Sequence, residues 1–487
     1  MHLGLDLGTS GVKSVLLDAA GAVIGQASAP LPQSHPHPLW SEQDPSDWWQ
    51  ATRDAVALLR RQHDVTRVRG VGLSGQMHGA VLLDAAEHVL RPAILWNDGR
   101  AHAECLELEA AEPQSRSITG NLTMPGFTAP KLLWVRRHEP EIFAHVRRVL
   151  LPKDWLRLRM TGEAITDMSD AAGTLWLDVG ARRWSQPMLA ATSLSESQMA
   201  SLAEGTKIAG RLRADIAAEW GLPQGIPVAA GGSDNAAGAV GIGCITPGKA
   251  FVSLGTSGVI FVADPAFLPD PEHAVHAFCH CVPGMWHRMS VTLSAAASLA
   301  WWARISGSDE ASLLAELRDA RVASTSGPMF LPYLSGERTP HNDAGASGAF
   351  VGLTTAHGRA DMTRAVVEGV AFALADGLNA LEERGGQIDA LTAIGGGARS
   401  ALWLRTLASA LDRPLRTVSG GEVGPALGAA RLARIACGDG SIADTCVSLP
   451  TTAEFAPDAA LAAQLMSRRT VFRQVYSALK GHIGQRV

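Results

Sequence analysis

The sequence predicts an α/β chain built from two similar lobes, and three observations carry that prediction. The hexapeptide LGTSGV occurs twice, at 7–12 and at 254–259. Each copy lies between apolar segments, in HLGLDLGTSGVKSVLLD and AFVSLGTSGVIFVAD, the pattern of a strand, a small polar turn and a second strand. The chain has 487 residues, 46% of them hydrophobic, too many for one core, and in each half strand-like segments are followed by helix-like ones. The boundary is expected near 244–250, giving lobes at 1–245 and 246–487.

Taken in order, residues 1–30 read as a strand meander. PSDWWQATRDAVALLRRQ (45–62) reads as an amphipathic helix with Ser46 as its N-cap. VRGVGLSGQMHGAVLLD (68–84) is strand, polar turn, strand, and AILWNDGR (93–100) ends a strand in Asn97, Asp98 and Arg100. The mixed stretch 105–220 elaborates the first lobe. IPVAAGGSDNAAGAVGIG (226–243) is a strand, a tight turn and an Ala/Gly-rich helix. The second lobe continues through the loop LPYLSGERTPHNDAGASGAFVGLT (331–354) and a long helix at 361–386. LTAIGGGARSALWLRTLASALD (391–412) is strand, triple glycine, helix, and GPALGAARLA (424–433) is a small-residue helix.

Several function classes fall away. The net charge is −5, and no basic block or charged tail points to nucleic acid or an anionic membrane. SVTLSAAASLAWWARI comes nearest to a membrane span but is broken by Ser and Arg, and MHLGLDLG lacks the basic start and apolar core of a signal peptide. Six scattered cysteines form no disulfide framework, so a reducing cytoplasm is expected. HAFCHC brings together His276, Cys279, His280 and Cys281, but neighbours on an extended run point to opposite faces; half-buried strand residues are expected rather than a zinc site. GCITPGKA (243–250) matches G-x-x-x-x-G-K, yet Ala250 stands where Ser or Thr must be and a strand follows, so it reads as a linker turn. No dinucleotide fingerprint has its strand, helix and distal acid in order.

The repeated turn carries the chemistry. Glycine lets a backbone approach a phosphate closely, so its N–H groups can hold one, and two such turns suggest one phosphate chain held between two lobes. The copies differ at two places: Asp6 corresponds to Ser253, and Lys13 to Ile260. A carboxylate in an apolar strand is costly unless compensated, and a cation beside phosphates would compensate it. Asp234, at the start of a helix, reads equally as an N-cap or as a functional acid.

Together these segments resemble the FGGY carbohydrate kinases, nearly end to end. The markers are DLGTSGVK, HPLWSEQDP, GQMHGA, LWNDGR, MPGFTAPKLLWV, GGSDNAAGAVG, LSGERTPH and GGGARS. GQMHGA with WNDGR favours the branch acting on xylulose over those acting on glycerol or gluconate. The resemblance implies two ribonuclease-H-like domains of the actin/hexokinase/Hsp70 type, closing over ATP and Mg²⁺ in a central cleft. It implies phosphorylation of D-xylulose to D-xylulose 5-phosphate in xylose catabolism. The nearer alternative is another ketose or polyol, such as ribulose or xylitol; the distant one is a non-catalytic, sugar- and nucleotide-responsive regulator. By the same resemblance Asp234 would be the general base and a sugar contact, and Asp6 would stand beside Mg²⁺, acting through water. Met77 and His78 would contact the sugar, with Trp96, Asn97, Asp98 and Arg100 adding polar contacts. Thr9, Ser10, Lys13, Gly255 and Thr256 would face the phosphates, and Gly396 and Gly397 the adenosine. Sugar and ATP are the expected partners, in the cytoplasm, with a homodimer left open as the assembly state.

Overall fold

The structure is a computed structural model that describes residues 1–319, 327–421 and 424–482. Alternating apolar and small residues produce three antiparallel strands, β1 (His2–Leu7), β2 (Gly11–Leu17) and β3 (Val23–Pro30). β1 also pairs in parallel with β4 (Gly70–Gly75), and β4 with β5 (Pro227–Ala229). The second half repeats this plan. β6 (Ala250–Leu254), β7 (Gly258–Asp264) and β8 (Trp286–Thr292) form an antiparallel meander. β6 then pairs in parallel with β9 (Leu391–Ile394), and β9 with β10 (Leu415–Val418). Both central sheets therefore run third-second-first-fourth-fifth, and the two LGTSGV segments are the equivalent first turns of the two lobes. Edge strands extend each sheet to seven: Ile208–Arg211 and Gly232–Ser233 in the first, His276–Cys279 and Thr451–Phe455 in the second.

Helix α1 (Pro45–Gln62) has the predicted bounds, but its cap lies two residues before the predicted one. Asp44, not Ser46, is the N-cap, and its carboxylate accepts from the Ser46 N–H at 2.8 Å. Pro45 fits the first turn because its missing N–H is not needed there. The first lobe also holds α2 (Pro152–Thr161) and α3 (Asp234–Ile242); the second holds α4 (Ala296–Ile305), the 27-residue α5 (Arg359–Gly385) and α6 (Ala401–Leu411).

The last helix concerning the site, α7 (Gly424–Ala436), comes from the second half of the chain yet packs on β1 and β4 of the first sheet. Only glycines permit this approach: a Cβ on Gly72 would stand 1.8 Å from Ala429 O, and one on Gly4 2.0 Å from Ala426 O. α3 crosses α7 just as closely, a Cβ on Gly428 falling 1.7 Å from Ala237 O. Ala239 and Ile242 of α3 share a core with Phe251 and Phe261 of β6 and β7, so these two helices join the lobes. Close packing explains why both helices are written in Gly and Ala, which have low side-chain entropy and bulk.

The strand HAFC is fully buried rather than half-buried, because the first lobe covers it: Asn121 Oδ1 meets His276 Nδ1 at 3.1 Å, and Phe127 packs on both His276 and Phe278. All six cysteines are free thiols. Among the described residues, no helix is long and apolar enough to cross a membrane.

Candidate active site

Sheet register brings two distant acids together. Asp6 on β1 stands opposite Lys13 on β2 and beside Ser74 on β4. The strand Gly232–Ser233 pairs with β4 at Ser74 and Gly75, which delivers Asp234 to the same edge. Asp234 is not the helix cap: Ser233 occupies that position, and Asp234 is the first helical residue. Its Oδ1 accepts from Asn235 N (2.7 Å) and Nδ2 (3.0 Å). Burial, then the negative charge of Asp6, pushes the Asp234 carboxyl up to about 7. Burial likewise raises Asp6 to about 6, against the opposing pull of Ser74 and Lys13. Asp6 Oδ1 is buried with no hydrogen-bond partner. Two neighbouring carboxyls short of positive charge fit a cation between protein and phosphates.

The turn bearing Asp234 is held from below. Ser233 N donates to Ser169 Oγ at 3.0 Å, and Ser169 Oγ donates to Asp167 Oδ2 at 2.5 Å. Asp167 belongs to a buried ionic cluster: Lys153 Nζ lies 2.7, 2.8 and 3.0 Å from Asp154, Asp167 and Asp170, and Arg157 lies 2.7 Å from Asp154. All five side chains are fully inaccessible. Sequence reasoning missed this support. Its one signal is KDWLRLRMT, a helix with charges but no polar face, since nearly every residue of α2 is buried.

On the side expected to hold the sugar, His78 adopts a left-handed backbone (φ 68°), stabilised by bonds to its carbonyl from Thr128 Oγ1 (3.1 Å) and Lys131 Nζ (2.8 Å). Its Nδ1 meets Gly173 O at 2.6 Å. A carbonyl only accepts, so Nδ1 carries the hydrogen. Burial pushes the imidazole down to about 3, so the ring is neutral and Nε2 remains a bare acceptor. Met77 is buried beside it, where a Cβ on Gly173 would touch Met77 Cε at 2.7 Å. Phe127 and Phe278 pack on the imidazole at 4.7 and 6.3 Å.

The WNDGR residues divide. Trp96 Nε1 donates to Thr9 Oγ1 (2.9 Å), which donates to Gln76 Oε1 (2.9 Å), and Gln76 Nε2 donates to Gln43 Oε1 (2.9 Å). The Thr9 side chain thus ties the first hairpin to the Trp96 loop. Asn97 is exposed beside a surface cavity of 510 Å³ lined by His35–Ser41. Asp98 is occupied elsewhere: it accepts from Ser41 N (2.6 Å) and pairs with Arg100 (2.7 Å), both side chains 1% exposed. Arg100 in turn meets Glu42 at 2.7 Å and lies 3.6 Å over the Trp40 ring.

On the side expected to hold the nucleotide, Thr256, Gly396 and Gly397 line a cavity of 1120 Å³ with Trp301, Leu314 and Trp403. Gly255 O and Thr256 O accept from Ala296 N and Ala295 N at 2.9 Å each, which fixes the second hairpin to the start of α4. A Cβ on Gly397 would stand 2.8 Å from Leu254 Cβ. In the first hairpin Gly8 N donates to Gly11 O at 3.0 Å, and Ser10 is exposed.

Residues 1–241 match the N-terminal domain, and 250–437 the C-terminal domain, of the FGGY family of carbohydrate kinases. The chain belongs to this family. This FGGY kinase is 54% identical over 480 residues to the xylulose kinase of Escherichia coli K12, covering 98% of this chain and 99% of that protein. A solved structure described as a xyloylose kinase from Brucella ovis is 52% identical and superposes with a TM-score of 0.95, covering 98% and 99% of the two chains. A gluconate kinase from Lactobacillus acidophilus superposes with a TM-score of 0.91 at 26% identity, covering 99% of each chain. The shared backbone therefore accommodates different sugar acceptors, and the choice among them lies in side chains.

Proposed function

We propose that this FGGY kinase transfers the γ-phosphoryl group of ATP to the C5 hydroxyl of D-xylulose, giving D-xylulose 5-phosphate and ADP. The observation that carries the reading is the Asp6–Asp234 pair, with Asp234 raised to about 7. The similarity to xylulose kinases over the full chain supports the choice of sugar.

Asp234 accepts the proton of the C5 hydroxyl as its oxygen bonds to the γ-phosphorus and the bond to the ADP oxygen breaks. A base with a pKa near the working pH is well matched to that transfer. Its place on a rigid turn braced through Ser233 and Ser169 holds the acceptor atom steady. Asp6, with its unpartnered Oδ1, would hold Mg²⁺ through water. Mg²⁺, when bound, screens the β- and γ-phosphate charge. Ser10, Lys13, Gly255 and Thr256 face the phosphates from the two hairpins, and Gly396 and Gly397 leave room for adenosine. His78 Nε2 accepts from a sugar hydroxyl. Closure about 244–250 excludes water, so that ATP is spent on sugar rather than hydrolysed. The enzyme acts in the cytoplasm.

A coupled ADP-release assay over D-xylulose, D-ribulose, xylitol, glycerol and gluconate tests this. D-xylulose is expected to give the highest kcat/KM, with low ATPase activity in its absence. A higher value for another acceptor would transfer the activity to that sugar, and no sugar-stimulated ADP release would leave the regulator reading. Light scattering on the same preparation tests the homodimer.

A further inference from the structure

One charged side chain near the sugar site has no role in the scheme above. Arg338 lies in the loop LSGERTPH of the second lobe, yet its Nη2 is 3.6 Å from where a Cβ on Gly126 of the first lobe would stand. Its charge is felt by His78 and His276. Among the described residues, no acceptor hydrogen-bonds its guanidinium; the backbone N–H of Arg338, by contrast, donates to Glu337 Oε1 at 2.8 Å. The adjacent Glu337 attracts the charge but makes no hydrogen bond to the guanidinium. Its Oε1 is taken by backbone N–H groups of Arg338 and Leu293, and burial raises its carboxyl to about 8, so it is mostly protonated at neutral pH. His78 and His276 are both held neutral by burial. This half-buried guanidinium has no protein acceptor among the described residues, so a ligand that supplies acceptors would be favoured there.

Position narrows what that ligand part is. Gly126, which Arg338 approaches, is tied to His78 through Lys131, whose Nζ donates to Gly126 O and His78 O at 2.8 Å each, whereas Asp6 stands against Lys13 and Ser74, and Asp234 against Asn235. Arg338 therefore faces the end of the sugar remote from the reacting hydroxyl. There the protein offers one group that only donates, the Arg338 fork, and one that only accepts, His78 Nε2. That pairing matches an α-hydroxyketone, in which the carbonyl oxygen only accepts and the adjacent hydroxyl can donate. A polyol places a hydroxyl where the ketone would be, and its proton would then face a cation and neutral rings.

Resting on the proposed action on a 2-ketose, we propose that Arg338 hydrogen-bonds the C2 carbonyl of the sugar from the second lobe, selecting ketoses over the corresponding polyols and coupling sugar binding to lobe closure.

The test measures dissociation constants for D-xylulose and xylitol by calorimetry on wild type, Arg338→Gln and Arg338→Lys, with melting temperatures alongside. Arg338→Gln is expected to weaken D-xylulose binding by ~10-fold or more and xylitol by less than about twofold, because loss of a built hydrogen bond penalises only the ligand that used it. Arg338→Lys keeps the charge but not the planar fork, and should fall between; it carries the comparison if the glutamine variant does not fold. Equal weakening of both sugars, or no change in either, overturns the assignment. The ADP-release assay on wild type separates the two readings. If another ketose is the true substrate, only the choice of xylulose fails, and the same ratio is read on that ketose and its polyol. A wild type that binds no ketose overturns both.

Discussion

Trp96 Nε1 donates a hydrogen bond to Thr9 Oγ1 at 2.9 Å, joining the loop expected at the sugar to the hairpin expected at the phosphates. The resemblance implies a direct ligand contact for each of these residues. Their bond makes them a mechanical link between the two proposed substrate sites, continued by Gln76 and Gln43 into the base of the lobe.

Trp96→Phe keeps the ring and deletes that donor. A hydrogen bond contributes about 0.5–1.5 kcal/mol net, so the apparent KM values for both D-xylulose and ATP should rise by roughly two- to tenfold. The exposed Asn97→Ala should leave both within about twofold. Steady-state kinetics with each substrate varied in turn checks this; a change confined to one substrate would disconnect the loops.

Asp234→Asn preserves shape and removes the proposed base. Turnover should drop by a factor on the order of a hundred or more, with D-xylulose and ATP still bound. An N-cap would accept Asn without loss, so near-normal turnover would place the base elsewhere.

The same acids set the pH behaviour. Asp234 is raised to about 7 and Asp6 to about 6, so kcat/KM should fall as pH drops through this range, with apparent pKa values belonging to the pair. For stability the sign is opposite to that of a salt-bridged acid. The folded chain holds protons that the unfolded chain has already released, so stability decreases as pH rises from about 4 through about 7. The melting temperature of Asp234→Asn, without ligands, should therefore gain on wild type steadily between pH 4 and pH 8. A constant difference would mean that burial does not perturb the acid.

Lys153→Met tests the buried support. Burial works against the ammonium, yet Asp154, Asp167 and Asp170 outweigh it and hold its proton above the usual lysine range. Removing it leaves carboxylates buried without their cation, which costs about 3–5 kcal/mol in comparable cases. A marked fall in the denaturation midpoint is expected, together with a lower kcat, because Ser169 and Ser233 lose their anchor.

The sequence by itself determined the duplicated plan. The two LGTSGV turns and their flanking apolar strands repeat because each lobe must build the same meander, and side-chain periodicity records that locally. The sheet positions of Asp6 and Lys13 were legible for the same reason. Tertiary structure decided what depends on residues far apart in the chain. It brought Asp234 beside Asp6, whose charge adds to burial in raising Asp234, while burial alone raises Asp6. It consumed Asp98 in a pair with Arg100 and Thr9 in a bond to Trp96, although their motif positions resembled those of ligand contacts. It set α7 from the second half against the first sheet, through glycines whose significance appears only when Gly4 and Gly72 meet Ala426 and Ala429. Burial and electrostatic coupling act through space, and a linear pattern encodes only the neighbours that chain geometry places side by side.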